Sequence, residues 1–162
     1  MNPFRSQGRA AGAPANILIR LVTGAVFLNE GILKFLDPAA NGAGRFAAIG
    51  LPHPEVLGPF VAAVETLGGL LLILGLFSRL AALALFVDIT VALVTTKLPV
   101  LLGHAYLGLA LMKLKTYGPL SMVHEARTDL AMWCGLLFLL IEGPGRWSLD
   151  ARRGSRAATG GR

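Results

Sequence analysis

Residues 57–96 read LGPFVAAVETLGGLLLILGLFSRLAALALFVDITVALVTT. Two apolar runs, Leu57 to Phe77 and Leu80 to Thr96, are parted only by Ser78-Arg79, which leaves room for a tight turn and nothing more. Each run approaches the ~20 residues an α-helix needs to cross the hydrocarbon core of a bilayer. The stretch therefore predicts two antiparallel membrane helices. One acid stands near the middle of each run, Glu65 in the first and Asp88 in the second. A charged side chain at the bilayer centre costs roughly 3 kcal/mol on insertion scales, so acids placed there face one another, a cation or water. The same residues that set the fold class, an all-α membrane bundle, also point to a polar site inside it.

Working outward, the run Ala15 to Leu36 is a further crossing and carries a third acid, Glu30; Pro38 and the cluster Ala39 to Gly44 end it. Pro52, Pro54 and Pro59 introduce the second run, while Lys97 and Pro99 close the third. Leu130 to Ile141 is about 12 residues, a length that suits a buried or re-entrant helix. Extended to Ala126 and Gly143 it becomes a fourth crossing. Val100 to Leu114 is apolar but broken by His104 and glycines, and reads as a re-entrant or interfacial segment or a fifth crossing.

Charge decides between four and five. With four crossings, Arg5, Arg9, Arg79 and the basic tail (Arg146, Arg152, Arg153, Arg156, Arg162) share one side. An excess of Lys and Arg marks the cytoplasmic face, so both termini are expected inside and the fifth crossing is rejected. The organisation that follows is a polar segment over 1–14, a four-helix transmembrane bundle over 15–150 with spans at about 15–36, 57–77, 80–97 and 126–143, and a disordered basic tail over 151–162. The first run is a retained helix rather than a signal peptide, because Arg20, Glu30 and Lys34 interrupt it and no small-residue cleavage site follows.

Composition agrees with the bilayer. Hydrophobic residues make up 54% and charged residues 15%, with a mean hydropathy of +0.65, where soluble domains carry about 25% charged residues. The net charge of +6 is not a nucleic-acid signature, since the basic residues sit at the ends of apolar runs and in the tail. Cys134 is the single cysteine, which excludes an internal disulfide and any multi-thiolate metal site.

Helical spacing groups the polar residues. In the first span Arg20, Thr23, Phe27, Glu30 and Lys34 share a face. Glu30 and Lys34 stand at i and i+4 with the acid first, the favourable order for an intrahelical pair. In that reading the two neutralise each other and Lys34 snorkels to the interface. Glu65 shares its face with Ala62, Gly69 and Leu72, and Gly68 and Gly75 form a second small line; Asp88 lies in the stripe Ala81, Ala84, Ala92, Thr95. Small residues let membrane helices approach closely, so both acids are expected at helix contacts.

Convergence of Arg20, Glu30, Lys34, Glu65 and Asp88 would set two cations against three acids, leaving one carboxyl as a candidate to hold an exchangeable proton. The alternative is a hydrogen-bonded network that only fixes helix register. Asp129 and His104 are secondary candidates. No span holds a histidine to ligate haem, and no HExxH, CxxC pair, phosphate loop or Ser-His-Asp set is present. Trp133, Trp147 and Tyr117 near span ends suit interfacial anchoring or quinone stacking, and Cys134 a packing position.

The run Arg20-Leu21 through Glu30-Gly31 and Lys34-Phe35, then Glu65-Thr66-Leu67-Gly68-Gly69 and Leu74-Gly75-Leu76-Phe77-Ser78-Arg79-Leu80-Ala81, resembles the DoxX family. So do the connection His124-Glu125-Ala126-Arg127-Thr128-Asp129 and the close Gly143-Pro144-Gly145-Arg146-Trp147-Ser148-Leu149-Asp150. The resemblance covers about Ile17 to Ala151 and implies a four-helix protein of the bacterial inner membrane. The family is named from a small subunit of an archaeal thiosulfate:quinone oxidoreductase, and other members are linked to thiol and oxidative-stress systems. No catalytic set carries over.

Together these readings lead to an inner-membrane subunit of quinone-linked redox chemistry, with Arg20 or Lys34 on a quinone carbonyl and an acid exchanging the proton. It has no intrinsic cofactor or metal, a quinone as possible ligand, and lipid with partner subunits or further copies of the chain as partners. A non-catalytic scaffold and, less favoured, a small transporter are the alternatives.

Overall fold

The fold was obtained as a computed structural model, in which residues 15–152 are described. The polar segment 1–14 and most of the tail, with Arg5, Arg9, Arg153, Arg156 and Arg162, lie outside the described residues. Six α-helices follow in order: α1 (Asn16–Leu36), α2 (Ala43–Ile49), α3 (Pro54–Leu74), α4 (Ser78–Ala92), α5 (Leu98–Leu102) and α6 (Pro119–Glu142). A π-turn, Leu93–Lys97, joins α4 to α5 without a break. The described residues hold no strand, only an isolated bridge between Tyr106 and Leu109.

Asn16–Leu36, Pro54–Leu74 and Ser78–Leu102 are each long and apolar enough to cross a membrane. Helix α6 has 24 residues, but Glu125, Arg127 and Asp129 make its first half polar. It starts at Pro119, ahead of the Ala126 boundary expected from hydropathy, because proline fits the first turn of a helix, where its missing N–H is not needed.

Two further expectations are corrected. Lys97 and Pro99 do not end the third apolar helix. Pro99 cannot donate to the carbonyl four residues back and crowds it. The backbone widens into the π-turn just before it, and the helix resumes to Leu102. Hydroxyls satisfy carbonyls around the widened turn, Thr95 Oγ1 donating to Val91 O (2.8 Å) and Thr96 Oγ1 to Ala92 O (2.7 Å). Nor do residues 100–114 form a helix long enough for a further crossing. After Leu102 the chain folds back as an irregular connection, pinned by Ala110 N to Ile49 O (2.8 Å) and Gly118 N to Val100 O (3.0 Å).

Helix α1 packs along α3, α4 along α6, and the α3–α4 contact joins the two pairs. The core between them is Phe27, Leu72, Ala81, Ala82, Leu85, Ile89, Met132, Leu136 and Leu139. Large side chains such as Leu18, Phe60, Leu67, Leu80 and Val87 point outward, as befits helices whose outer solvent is lipid. Trp133 makes a helix–helix contact. Its indole donates to Thr90 Oγ1 (3.1 Å) at the α4–α6 contact, with its ring 4.9 Å from Phe86. Cys134, expected to pack, is exposed on the outer surface.

The two ends of the described chain meet. Asn16 Nδ2 donates to Gly143 O at 3.2 Å, and Asp150 N donates to Gly75 O at 3.0 Å. This end of the bundle, with the α3–α4 turn, is the terminal end; α2 and the connection after Leu102 lie at the other.

Candidate functional site

Close approach of α1 and α3 builds the site. A Cβ on Gly69 would stand 2.6 Å from Leu28 N and 2.7 Å from Gly24 O, and one on Gly24 2.8 Å from Gly69 O. Backbone therefore touches backbone at these glycines. Gly31 meets Thr66 and Ala62 in the same way. Gly68 faces α4 instead, against Leu85, so the two small lines of α3 seat two different helices.

That approach brings Lys34 to Glu65. Lys34 Nζ lies 2.6 Å from Glu65 Oε2 and 3.8 Å from Glu30 Oε2. The Lys34 and Glu65 side chains are 9% and 8% exposed, that of Glu30 45%. The intrahelical pairing read from the i, i+4 spacing is thus the weaker contact, and Lys34 does not snorkel. A helical side chain leans toward the N-terminus of its own helix, which aims Lys34 inward to the level of Glu65. Asp88, from α4, lies near both Glu65 and Lys34 on the same cavity.

These four groups form one wall of a cavity of about 400 Å³. Its apolar wall includes Phe27, Ile89 and Met132, and α2 contributes Arg45. Thr95, Thr96 and Lys97 of the π-turn also line it, with Lys97 Nζ 3.5 Å from Asp129 Oδ2. Asp129 is therefore part of the site. The acids on the lining are Glu30, Glu65, Asp88 and Asp129, against the cations Lys34, Arg45 and Lys97. The cavity carries one negative charge more than its cations offset when all are ionised. Among the described residues no group of three His, Cys, Asp or Glu side chains is arranged to hold a metal ion. A proton or an organic ligand with hydrogen-bonding groups suits this lining.

Arg20 stands elsewhere, which corrects the expected five-residue convergence. It is 2% exposed and donates to Pro144 O (2.7 Å), Trp147 O (2.9 Å) and Ile73 O (3.4 Å) at the terminal end. Along α1 it is roughly 15 Å from Glu30 at 1.5 Å per residue. Beside it, Asp150 accepts from Phe77 N and Ser78 N, both at 2.9 Å, and from Ser78 Oγ at 3.0 Å. Asp150 thereby caps α4 and holds Phe77 in a left-handed conformation, φ 47°, that side chains disfavour. His104 lies in the exposed connection with its ring nitrogen 2.9 Å from Ala105 O, outside the cavity.

Sequence reasoning put Thr95 on the face of Asp88 but passed over Lys97, Arg45 and Thr96 as cavity residues. On a straight α-helix Lys97 falls on the face opposite Asp88. The π-turn, invisible to a 3.6-residue period, swings it back.

No solved structure matches the chain. An uncharacterized membrane protein of Mycobacterium tuberculosis is 46% identical over 152 residues, 94% of this chain and 89% of that protein. "Putative oxidoreductase CatD" of Bacillus subtilis is 32% identical over 82 residues, 51% of this chain and 59% of that protein. An uncharacterized protein of Haemophilus influenzae is 38% identical over 74 residues, 46% of this chain and 52% of that protein. The sequence profile of the DoxX family matches residues 15–98. With three helices fit to cross a bilayer, the chain is a membrane protein and belongs to the DoxX family.

Proposed function

We propose that this protein is an inner-membrane subunit of a quinone-linked oxidoreductase, and that the cavity between α1, α3, α4 and α6 receives the quinone head group. The observation that carries the reading is the mixed lining: an apolar chamber of about 400 Å³ with Lys34, Glu65 and Asp88 gathered on one wall. That volume falls within the range of about 300–1,000 Å³ usual for small-molecule sites, which are apolar with a few placed polar groups. Lys34 has three N–H donors. One meets Glu65, and another is available to a quinone carbonyl oxygen.

Reduction of a quinone to a quinol takes two electrons and two protons. The electrons come from a partner subunit bearing a flavin, haem or iron–sulfur group, and Asp88 and Glu65 pass protons to the oxygens. The relative named as an oxidoreductase supports a redox setting. In this reading α6 completes a four-crossing bundle of the bacterial inner membrane with both termini cytoplasmic, as the Lys and Arg distribution favours.

The test is purification in mild detergent followed by extraction and absorbance spectroscopy of bound quinone. The wild-type protein retains quinone, whereas Glu65→Gln loses it while the amount of protein holds. Absence of quinone from wild type, together with no protection by added decylubiquinone of a cysteine placed in the cavity, refutes the reading. The Lys34–Glu65 contact of 2.6 Å also suits a second reading, a scaffold whose ion pair only sets helix register. That reading requires Glu65→Gln to lower the amount of assembled complex and leave the activity per complex unchanged.

A further inference from the structure

We infer that the cavity is wetted, and exchanges protons, from one side of the membrane only: the side of α2 and the 103–118 connection, with Glu30 as its outermost acid. The inference deepens the quinone reading by giving that site a direction. Its geometric basis, however, stands without any ligand.

Glu30 is the exposed acid of the cluster: its side chain is 45% exposed, against 9% for Lys34 and 8% for Glu65, and Asp88, half-buried, lies near both. Glu30 is roughly 9 Å along the α1 axis from Leu36, yet roughly 21 Å from Asn16. The cluster sits in the half of the bundle away from the termini. On that side the lining stays charged, through Arg45 of α2 and the Lys97–Asp129 pair, where Asp129 is 31% exposed.

Toward the termini the path closes. Phe27, Leu72, Leu85 and Leu136 are 3%, 0%, 0% and 0% exposed. Each lies on its own helix between the cavity groups and the terminal end, so α1, α3, α4 and α6 all contribute to one dry layer. Beyond that layer both terminal nitrogens of the Arg20 guanidinium donate to carbonyls of residues 73, 144 and 147, while its buried Nε has no partner. The layer is apolar apart from the buried Thr23 hydroxyl, and one hydroxyl does not supply the two to four polar partners that a buried water needs.

A proton moving inward passes from water to Glu30. Lys34 gives one of its own protons to Glu65 and regains one from Glu30, and Glu65 hands its proton to Asp88. Every proton a quinone gains or loses in the cavity then comes from, or returns to, the same face.

Single-cysteine labelling of the full-length protein in membrane vesicles of both orientations tests this, with Cys134→Ser as background. Leu107→Cys, at an 81% exposed position in the connection, and Trp147→Cys, at a 64% exposed position beside the termini, mark the two faces. Glu30→Cys and Thr95→Cys are expected to react with a membrane-impermeant maleimide from the Leu107 side only, and Leu136→Cys, in the buried layer and off the cavity lining, from neither. Thr95→Cys keeps every charge of the cluster, which covers a failure of Glu30→Cys to fold. Reaction of Thr95→Cys from the Trp147 side, from both sides or from neither overturns the inference, as does reaction of Leu136→Cys. The labelling needs no quinone. Protection of Thr95→Cys by decylubiquinone is a separate readout, so the quinone reading can fail while the sidedness stands.

Discussion

Replacing Lys34 by Met keeps most of the length and apolar stem of the side chain and removes the ammonium that lies 2.6 Å from Glu65. Both side chains are more than nine-tenths buried, so the loss is that of one partner in a buried pair, about 3–5 kcal/mol. A solvent-exposed pair would be worth at most about 1 kcal/mol. The structure therefore predicts a loss clearly above the surface range. Adding Glu65→Gln should restore much of it, because the uncompensated carboxylate is gone. The coupling energy in the Lys34/Glu65 double-mutant cycle is expected near the upper end of the usual ~0.5–3 kcal/mol. The Lys34/Glu30 cycle should give less, since that contact is 3.8 Å and the Glu30 side chain is 45% exposed. Equilibrium unfolding in mixed micelles reads these energies, with Trp133 as reporter at the α4–α6 contact. A Lys34→Met protein within about 1 kcal/mol of wild type would refute the buried-pair account, as would a larger coupling to Glu30 than to Glu65.

Gly69→Ala puts a methyl group 2.6 Å from Leu28 N, and backbone must yield. We expect a loss of about 1–3 kcal/mol and slower disulfide formation between cysteines placed at positions 34 and 65. Arg20→Leu strands the carbonyls of Pro144, Trp147 and Ile73. At about 1–3 kcal/mol per buried orphan group, limited proteolysis should cut at residues 143–150 in the variant and not in wild type. Asp150→Asn removes a carboxylate oxygen from the α4 cap and should lower the unfolding free energy by about 1 kcal/mol, leaving cavity labelling at Thr95→Cys unchanged. Trp133→Phe forfeits the bond to Thr90, for about 1 kcal/mol.

The apolar runs made α1, α3 and most of α4 legible, because length and hydropathy alone answer to the thickness of a bilayer. The small-residue stripes likewise marked where Glu65 and Asp88 would meet neighbours, since close packing needs small side chains. Lys34 was legible only as far as its own helix. Spacing offers Glu30 as partner, and nothing in a one-dimensional period reports that Gly24, Gly31 and Gly69 bring a second acid closer. Arg20 was misplaced for the same reason. It shares the face of Glu30 in α1, but a face is long, and the carbonyls that hold it belong to residues more than a hundred positions later. Lys97 was lost to a local departure from α geometry. The short helix α2 went unseen because seven residues carry too little periodicity to be read.

The Arg20 contacts also bear on the order in which the protein is made. Helix α1 is translated first, yet Trp147, whose carbonyl it binds, follows by 127 residues. At about 5–20 residues per second, the guanidinium waits some seconds to tens of seconds in the nascent helix before its acceptors leave the ribosome. A chain stopped short of residue 144 lacks two of the three acceptors, and the guanidinium, one turn from the helix end, then turns toward the interface. Closure of this end of the bundle thus waits for residues 144–147, and Arg20 registers that they have been made.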